Sequence, residues 1–284
     1  MTKVLDGKEV RKKVKAETKE KAEAYREQGI VPKLVVLRIG EDPASVAYEK
    51  SAIKQMESVS IDTDTVTLPE DATSEEAVNA VTELNNDDSV HGVIVMQPLP
   101  EQINRNDLSE HLDPKKDVDA LNPLNLGLLI EGNEKAMAPS TAQAVMEILD
   151  FYDIDVEGKV VTVIGSSPIV GKPISIMLSV RNATVLNTNI FTPDNKDHTT
   201  ISDIVISATG ALGMVDSSYI NEGAIVIDVG FGYNDDGEAM GDVQYDDVFD
   251  KASAITPVPG GVGSVTTAIL GKQLIKGVGL QTGK

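Results

Sequence analysis

The stretch Val160-Val-Thr-Val-Ile-Gly-Ser-Ser-Pro-Ile-Val-Gly-Lys-Pro173 decides the fold class. Apolar and β-branched residues run into Gly165, Gly171 follows six residues later, and an apolar helical pattern continues to about Val180. Strand, glycine turn and helix in this order open a Rossmann-type unit, where helix-start amides meet a pyrophosphate. The spacing departs from G-x-G-x-x-G. A Walker A loop also fails, because one residue is extra before Gly171-Lys172 and Pro173 stands in place of Ser or Thr. By itself the segment reads equally as a nucleotide loop or as a plain βα turn.

The same rhythm extends in both directions. Downstream, Thr184–Leu186, Ile204–Ser207 and Ala224–Val229 read as strands, and Gly263–Ile275 as a closing helix. Upstream, Asp6 and Glu9 have the spacing of a capping box for a helix to about Gln28, stopped by Gly29. Then follow a strand at Lys33–Ile39, a helix at Pro43–Glu57, a strand at Thr63–Leu68 and a helix capped by Thr73 and Glu76. Gly92–Met96 is fully apolar, the pattern of a strand covered on both faces, and Pro98 and Pro100 end it. Residues 104–139 read as irregular, with a helix after them at Thr141–Tyr152. Alternating strands and helices in both halves predict an α/β protein of two domains with parallel sheets.

The chain has 284 residues, long enough to bury about three quarters of its unfolded surface without a staple. Cysteine is absent, which excludes disulfides, thiolate metal sites and a cysteine nucleophile. The three histidines, His91, His111 and His198, are scattered, and no metal is expected. Lys plus Arg is 25 against 45 Asp plus Glu, a net charge of −20 that repels nucleic-acid backbones and anionic lipid. The acids of Asn234–Asp250 and the lysines of the first helix read as solvated faces. No apolar run approaches a membrane span and no signal-peptide core opens the chain, so a cytoplasmic, soluble protein is expected.

Further segments carry possible chemistry. Pro257-Val-Pro-Gly-Gly-Val-Gly263 reads either as a tight loop before a helix or as backbone presented close to a ligand, since glycines leave the approach open. Ser45-Val-Ala-Tyr48, Met96-Gln-Pro-Leu-Pro100 and Lys115-Lys-Asp-Val-Asp119 all follow strands or loops, where ends of parallel strands converge on a crevice. After the second strand of the glycine-turn unit, Asn187-Thr-Asn-Ile-Phe-Thr192 holds neither an acid for a ribose nor a base for a 2′-phosphate, which leans toward NAD.

Together these segments resemble the methylenetetrahydrofolate dehydrogenase/cyclohydrolase family. The carriers are Gly40-Glu-Asp-Pro-Ala-Ser-x-x-Tyr48, His91-Gly-Val-Ile-Val with Pro98-Leu-Pro100, Lys116-Asp-Val-Asp119, Gly165-x-Ser-x-Ile-Val-Gly171, Asp228-Val-Gly230, Gly241-Asp-Val243 and Thr256-Pro-Val-Pro-Gly-Gly-Val-Gly263. The resemblance implies a folate-binding catalytic domain over residues 1–140, with the closing helix at about 263–284 returning to it. It implies a Rossmann-like NAD(P)-binding domain over 141–262, a cleft between the two, and a homodimer. The activity it implies is oxidation of 5,10-methylenetetrahydrofolate to the methenyl form by hydride transfer, followed in most members by hydrolysis to 10-formyltetrahydrofolate.

Carried over residue by residue, the resemblance assigns Tyr48, Met96, Pro98, Leu99, Asp119, Pro259, Gly260 and Gly261 to the folate. Asp119 would take the pterin amino group and ring N–H through charge-assisted hydrogen bonds. Gly165, Ser166, Ser167, Ile169, Val170, Gly171, Thr209, Gly210, Gly230, Phe231 and Thr266 go to the nucleotide. The chain departs from the pattern at the family's catalytic Lys and Gln, where Ala52 and Met96 stand. Lys50 and Lys54 flank Ala52 but lie roughly 200° around the helix from it at about 100° per residue. Gln97 is one residue displaced, which in a strand faces the opposite side. Two readings stay open: the pair is lost, leaving a dehydrogenase with weak or absent cyclohydrolase, or a locally distorted site uses Lys54 and Gln97 and both activities persist. A third is a non-catalytic folate- and nucleotide-binding paralogue. Ser166 and Asn189-Ile-Phe191 replace the usual basic and hydroxyl groups of a 2′-phosphate cradle, so the nucleotide is expected to be NAD or NADP, with NAD favoured.

Overall fold

In the computed structural model, which describes residues 2–234 and 236–284, the strand and helix patterns take up parallel sheets. Along the chain the first elements are β1 (Lys3–Val4), α1 (Gly7–Glu27), β2 (Lys33–Ile39), α2 (Pro43–Glu57), β3 (Asp62–Leu68), α3 (Ser74–Asn86) and β4 (Gly92–Val95). Then come α4 (Arg105–His111), α5 (Pro123–Ile130), α6 (Ser140–Phe151), β5 (Val160–Ile164), α7 (Gly171–Val180), β6 (Thr184–Thr188), α8 (Asn195–Thr199), β7 (Ile204–Ser207) and β8 (Ile225–Asp228). The chain ends with the hairpin β9 (Gly232–Tyr233) and β10 (Ala239–Met240), α9 (Tyr245–Phe249), β11 (Ala254–Ile255) and α10 (Thr266–Thr282). Two compact units result. One comprises Met1–Lys12, Ile130–Gly132 and Thr141–Thr266; the other comprises Lys13–Leu129, Asn133–Ser140 and Thr267–Lys284.

The second of these units is built on a parallel sheet of order β3-β2-β4. Side-chain alternation sorts its strands onto two cores. Leu34 and Val36 of β2, with Ile94 of β4 and Met96 just past it, join Ala22, Ala52, Met56, Leu270 and Leu274 from α1, α2 and α10. Val35, Leu37, Ile39 and Val93 join Ala77, Val81, Leu84 and Leu108 from α3 and α4 on the other face. A sheet covered on both faces needs near-continuous apolar strands, which is what Leu34–Leu37 and Val93–Val95 supply.

In the other unit the sheet order is β1-β11-β8-β7-β5-β6, with every pairing parallel. The chain leaves β5 to form β6 on one side and returns to form β7 on the other. The order therefore reverses at β5, and the crevice for a ligand opens outside the carboxyl ends of β5 and β7.

Several expectations are corrected. Residues 104–139 are not irregular throughout: Asn104 caps α4 through the Asn106 amide, and Asn122 accepts from the Leu124 amide at the start of α5. Helices of seven and eight residues carry too little periodicity to be read from sequence. The closing helix starts at Thr266 rather than Gly263, because Val262–Ser264 form a separate 3-10 turn. β1 is two residues long and exists only because β11 offers it an edge. Among the described residues no helix is long and apolar enough to cross a membrane.

Candidate active site

The Gly40–Tyr48 segment ties α2 to the end of β4. Asp42 caps the helix by accepting from the Ser45 amide (2.8 Å), and Pro43 occupies the first turn, where its missing N–H costs nothing. The Ser45 hydroxyl donates to the Gln97 carbonyl at 2.9 Å. Tyr48, one turn further on, packs against the apolar cluster that holds Ala52 and Met96.

Residues 116–118 run beside β4: the Val93 amide donates to the Lys116 carbonyl, and the Val118 amide to that of Val93. Lys116 and Asp117 are spent on the fold. The Lys116 ammonium donates to the Leu84, Asn85 and Asp87 carbonyls, closing the end of α3. Buried Asp117 accepts from the Leu121 and Asn122 amides and from Asn125 Nδ2, and burial pushes its carboxyl up to about 6.

Asp119 is the acid left over. One oxygen accepts the Ser140 amide at the start of α6 (2.9 Å). The residue is exposed, yet desolvation still raises its carboxyl above the usual value. Accessible but desolvated is the condition of a carboxylate lining a concavity, ready to take a charged or N–H-bearing ligand edge. Burial first, then the Asp119 carboxylate, raise the Tyr48 phenol above its usual range, so Tyr48 stays a hydrogen-bond donor.

Ala52 is fully buried and Met96 is 6% exposed, both in the one apolar cluster. Lys54 and Gln97 are exposed. The helix through Tyr48, Ala52 and Lys54 is continuous, so Lys54 lies on the face away from that cluster. Pro98 is exposed and Leu99 packs beneath, against the opposite core.

In the β5-containing unit, the predicted nucleotide residues gather at the carboxyl edge of the sheet. Gly165 has φ +111° and the Gly165 amide donates to the Thr188 carbonyl. A Cβ at Gly165 would collide with the Ala208 carbonyl, and one at Gly171 with the Gly165 carbonyl. Only glycine fits either place. Ser167 Oγ accepts from the Val170 and Gly171 amides at the head of α7. Ser166 and Val170 are half-buried in this turn, and Ile169 is exposed on it. Gly230, Phe231, Pro259, Gly260, Gly261 and Thr266 line a single cavity of about 400 Å³, together with Thr141 and Asp228. A Cβ at Gly210 or at Gly263 would meet nothing within 4 Å. The cavity lies between the loop after β8 and the glycine-rich loop before α10, and the glycine turn at the head of α7, where the strand order reverses, offers a separate set of amides for a pyrophosphate.

Comparison with known proteins agrees with both halves. Residues 5–119 match the tetrahydrofolate dehydrogenase/cyclohydrolase catalytic domain and residues 139–282 its NAD(P)-binding domain. The chain belongs to this family. It is 40% identical over 276 residues to "Bifunctional protein FolD" of Alkaliphilus metalliredigens, covering 97% of each chain. To the protein of the same name from Clostridium botulinum (strain Langeland) it is 41% identical over 275 residues, covering 97% of this chain and 98% of that one. The crystal structure of the bifunctional FolD methylenetetrahydrofolate dehydrogenase/cyclohydrolase from Campylobacter jejuni superposes with a TM-score of 0.95 at 40% identity, covering 98% of both.

Within this tetrahydrofolate dehydrogenase/cyclohydrolase chain, one pair of residues escaped the sequence reading. The acids of Asn234–Asp250 were expected to be solvated. Asp236, Glu238, Asp246, Asp247 and Asp250 are exposed, and Asp235 lies outside the described residues, but Asp242 is fully buried. Its Oδ2 accepts from the Ser207 hydroxyl and from the Thr209 and Gly210 amides. Neighbouring Asp228 accepts the Gly230, Asp242 and Val243 amides. Burial pushes Asp228 up to about 6 against the pull of those amides, with the Asp242 charge adding to the rise. Two buried carboxylates thus hold the loops after β7 and β8, which carry Thr209, Gly210, Gly230 and Phe231. The hint in sequence was that both acids stand in segments that carry the family resemblance, Asp228-Val-Gly230 and Gly241-Asp-Val243. Replacing Asp242 with Ala leaves these donors without a partner, at about 1–3 kcal/mol for each buried group. The nucleotide KM is expected to rise about tenfold with kcat little changed. Steady-state kinetics with varied nucleotide checks this, and an unchanged KM rejects the role.

Proposed function

We propose that this protein oxidises 5,10-methylenetetrahydrofolate to the methenyl form by hydride transfer to NAD, with weak cyclohydrolase. The observation that carries the reading is the apolar pair Ala52 and Met96, packed in one cluster with Tyr48 while Lys54 and Gln97 face solvent. Asp119 takes the amino and N–H edge of the pterin, and Tyr48 covers the ring or donates its hydroxyl. Pro98 and Leu99 complete the folate surface of the same unit. Gly165–Gly171, Thr209, Gly210, Gly230, Phe231 and Thr266 hold the nucleotide, whose nicotinamide supplies the hydride acceptor. The unit of Lys13–Leu129, Asn133–Ser140 and Thr267–Lys284 serves the folate, and the unit of Met1–Lys12, Ile130–Gly132 and Thr141–Thr266 the nucleotide. A cytoplasmic homodimer belongs to the same reading.

The chemistry accounts for an unequal loss. Hydride transfer needs alignment of the two rings and no protein proton carrier at the reacting carbon. Hydrolysis needs water activated and a proton moved as the ring opens, where a positioned acid/base contributes about 10²–10⁴-fold. The second reading, with both activities retained, is favoured by relatives about 40% identical that carry the name bifunctional. One time course of methenyltetrahydrofolate, started with methylenetetrahydrofolate and either nucleotide, separates the two. The expected result is faster formation with NAD than with NADP, followed by decay at the enzyme-free rate. Enzyme-dependent decay supports the second reading, with Lys54→Ala and Gln97→Ala as the variants that then lose hydrolysis.

A further inference from the structure

Ser140 carries a buried hydroxyl to which the fold gives no partner. The residue is 5% exposed, and its Oγ makes no hydrogen bond among the described residues. A hydroxyl buried and unpaired costs stability, so such a group calls for a reason. Its neighbour supplies one. The Ser140 amide donates to Asp119 Oδ1 at 2.9 Å, and the hydroxyl sits close enough to the same carboxylate to draw its pKa down, against the desolvation that raises it. Amide and hydroxyl belong to one residue, so rotation about a single side-chain bond sets the hydroxyl on that carboxylate.

Both sides of this contact are anchored. The segment that ends at Ser140 is pinned from two helices: the Met137 amide donates to Asn125 Oδ1 of α5, while Gln273 Nε2 and the Lys276 ammonium of α10 donate to the Ala138 and Ala136 carbonyls. On the carboxylate side, Ala120 has φ +54°, in the left-handed region that residues with a Cβ seldom adopt. Asp117 holds that turn by accepting the Leu121 and Asn122 amides. Strain of this kind persists where the surrounding structure over-determines it. Here it accompanies the change from the buried run Lys116–Val118 to accessible Asp119.

We propose that Ser140 is a positioning residue for the folate: its amide and hydroxyl together orient the Asp119 carboxylate so that the remaining edge meets the pterin amino and N–H groups. The proposal rests on the folate-binding reading above. A hydroxyl donating to a carboxylate favours the ionised form, which is the form that a ligand N–H edge requires. Calorimetry with 5-formyltetrahydrofolate, a reduced folate that presents the pterin edge without reacting, tests this. Ser140→Ala is expected to weaken binding about tenfold at neutral pH, the size of one hydrogen bond to a charged group. The acid limb of affinity should move to higher pH, since Asp119 loses a partner that lowers its pKa. Melting temperature should hold or rise, because an unpaired buried hydroxyl is gone. Ser140→Thr keeps the hydroxyl and should restore both affinity and limb. On an Asp119→Asn background, Ser140→Ala should add nothing further, because no carboxylate is left to orient.

Two other titratable groups sense Asp119: the Tyr48 phenol, raised further above its ordinary range, and Asp117, whose buried carboxyl lies at about 6. An acid limb that persists in Asp119→Asn therefore belongs to Asp117 and overturns the proposal. Parent-like affinity and limb in a folded Ser140→Ala variant, with Asp119→Asn still weakened, overturn it too and leave the folate reading standing. Parent-like affinity in Asp119→Asn removes the folate reading and the proposal together. A loss in Ser140→Ala that repeats in full on the Asp119→Asn background is a structural effect and overturns the positioning role alone.

Discussion

Ala52→Lys and Met96→Gln, introduced together, are expected to raise hydrolysis of methenyltetrahydrofolate by about 10²-fold or more, the contribution of a positioned acid/base. Residue 52 lies one turn beyond Tyr48 on the same helix face, and residue 96 belongs to the same buried cluster. A lysine and a glutamine there would meet each other and the Tyr48 ring. Each single change should be worse than the pair. Ala52→Lys alone would bury an unpartnered ammonium, and Met96→Gln alone an unpartnered amide, each at a cost. The two substitutions should therefore be coupled, with the double variant both more active and more stable than additivity of the singles allows. The assay is decay of methenyl absorbance, with melting temperature followed in parallel. A folded double variant that hydrolyses no faster than the parent would count against the site geometry, since the side chains would then be in place without effect.

Asp119→Asn is expected to lower kcat/KM for methylenetetrahydrofolate by about 10²–10³-fold. Removing one charge from a desolvated, hydrogen-bonded pair typically costs about 2–5 kcal/mol. Folding should be spared. An asparagine oxygen can still accept the Ser140 amide, and a carboxylate that desolvation already disfavours is gone. Melting temperature should hold while activity falls, which separates recognition from stability. The parent also has a predictable acid limb. Folate binding requires ionised Asp119, whose carboxyl is raised, so affinity for a non-reacting folate should be lost as pH falls through a value above the ordinary aspartate range. Calorimetry across that range should show the limb in the parent and its absence in the asparagine variant. An identical profile in both would remove Asp119 from the folate site.

Much of the architecture follows from local patterning. The β2 and α2 limits are Lys33–Ile39 and Pro43–Glu57, the bounds read from the β-rich run before Gly40 and from the helical segment that follows it. The Thr73–Glu76 capping box is formed in both directions. The capping box depends on contacts within a few residues, so spacing suffices to read it, and a strand covered on both faces shows itself by its apolar run. Elements that depend on distant partners were not readable. β1 requires the edge that β11 offers at Ala254 and Ile255, and α4 and α5 are too short for periodicity.

The site divides along the same line. Sequence alone determined that Gly165 and Gly171 flank a strand–turn–helix, that Ala52 and Met96 stand where the family resemblance expects Lys and Gln, and that no base follows β6. Each is a statement about residue type at a position. Only the tertiary structure decided that Lys116 and Asp117 of Lys-Asp-Val-Asp119 are consumed by the fold while Asp119 stays accessible. Only it withdrew Asp242 from an acidic, seemingly solvated segment and set it under two loops, and only it turned Ile190 and Phe191 outward. The physical reason is that a group is free to act only if no backbone or side-chain partner claims it. The partners that claim Lys116 and Asp242 come from segments 32 and 33 residues away, and Asn187, which ties the end of β6 to the glycine turn, reaches across 22 residues. Residue type at a position carries no record of such distant partners.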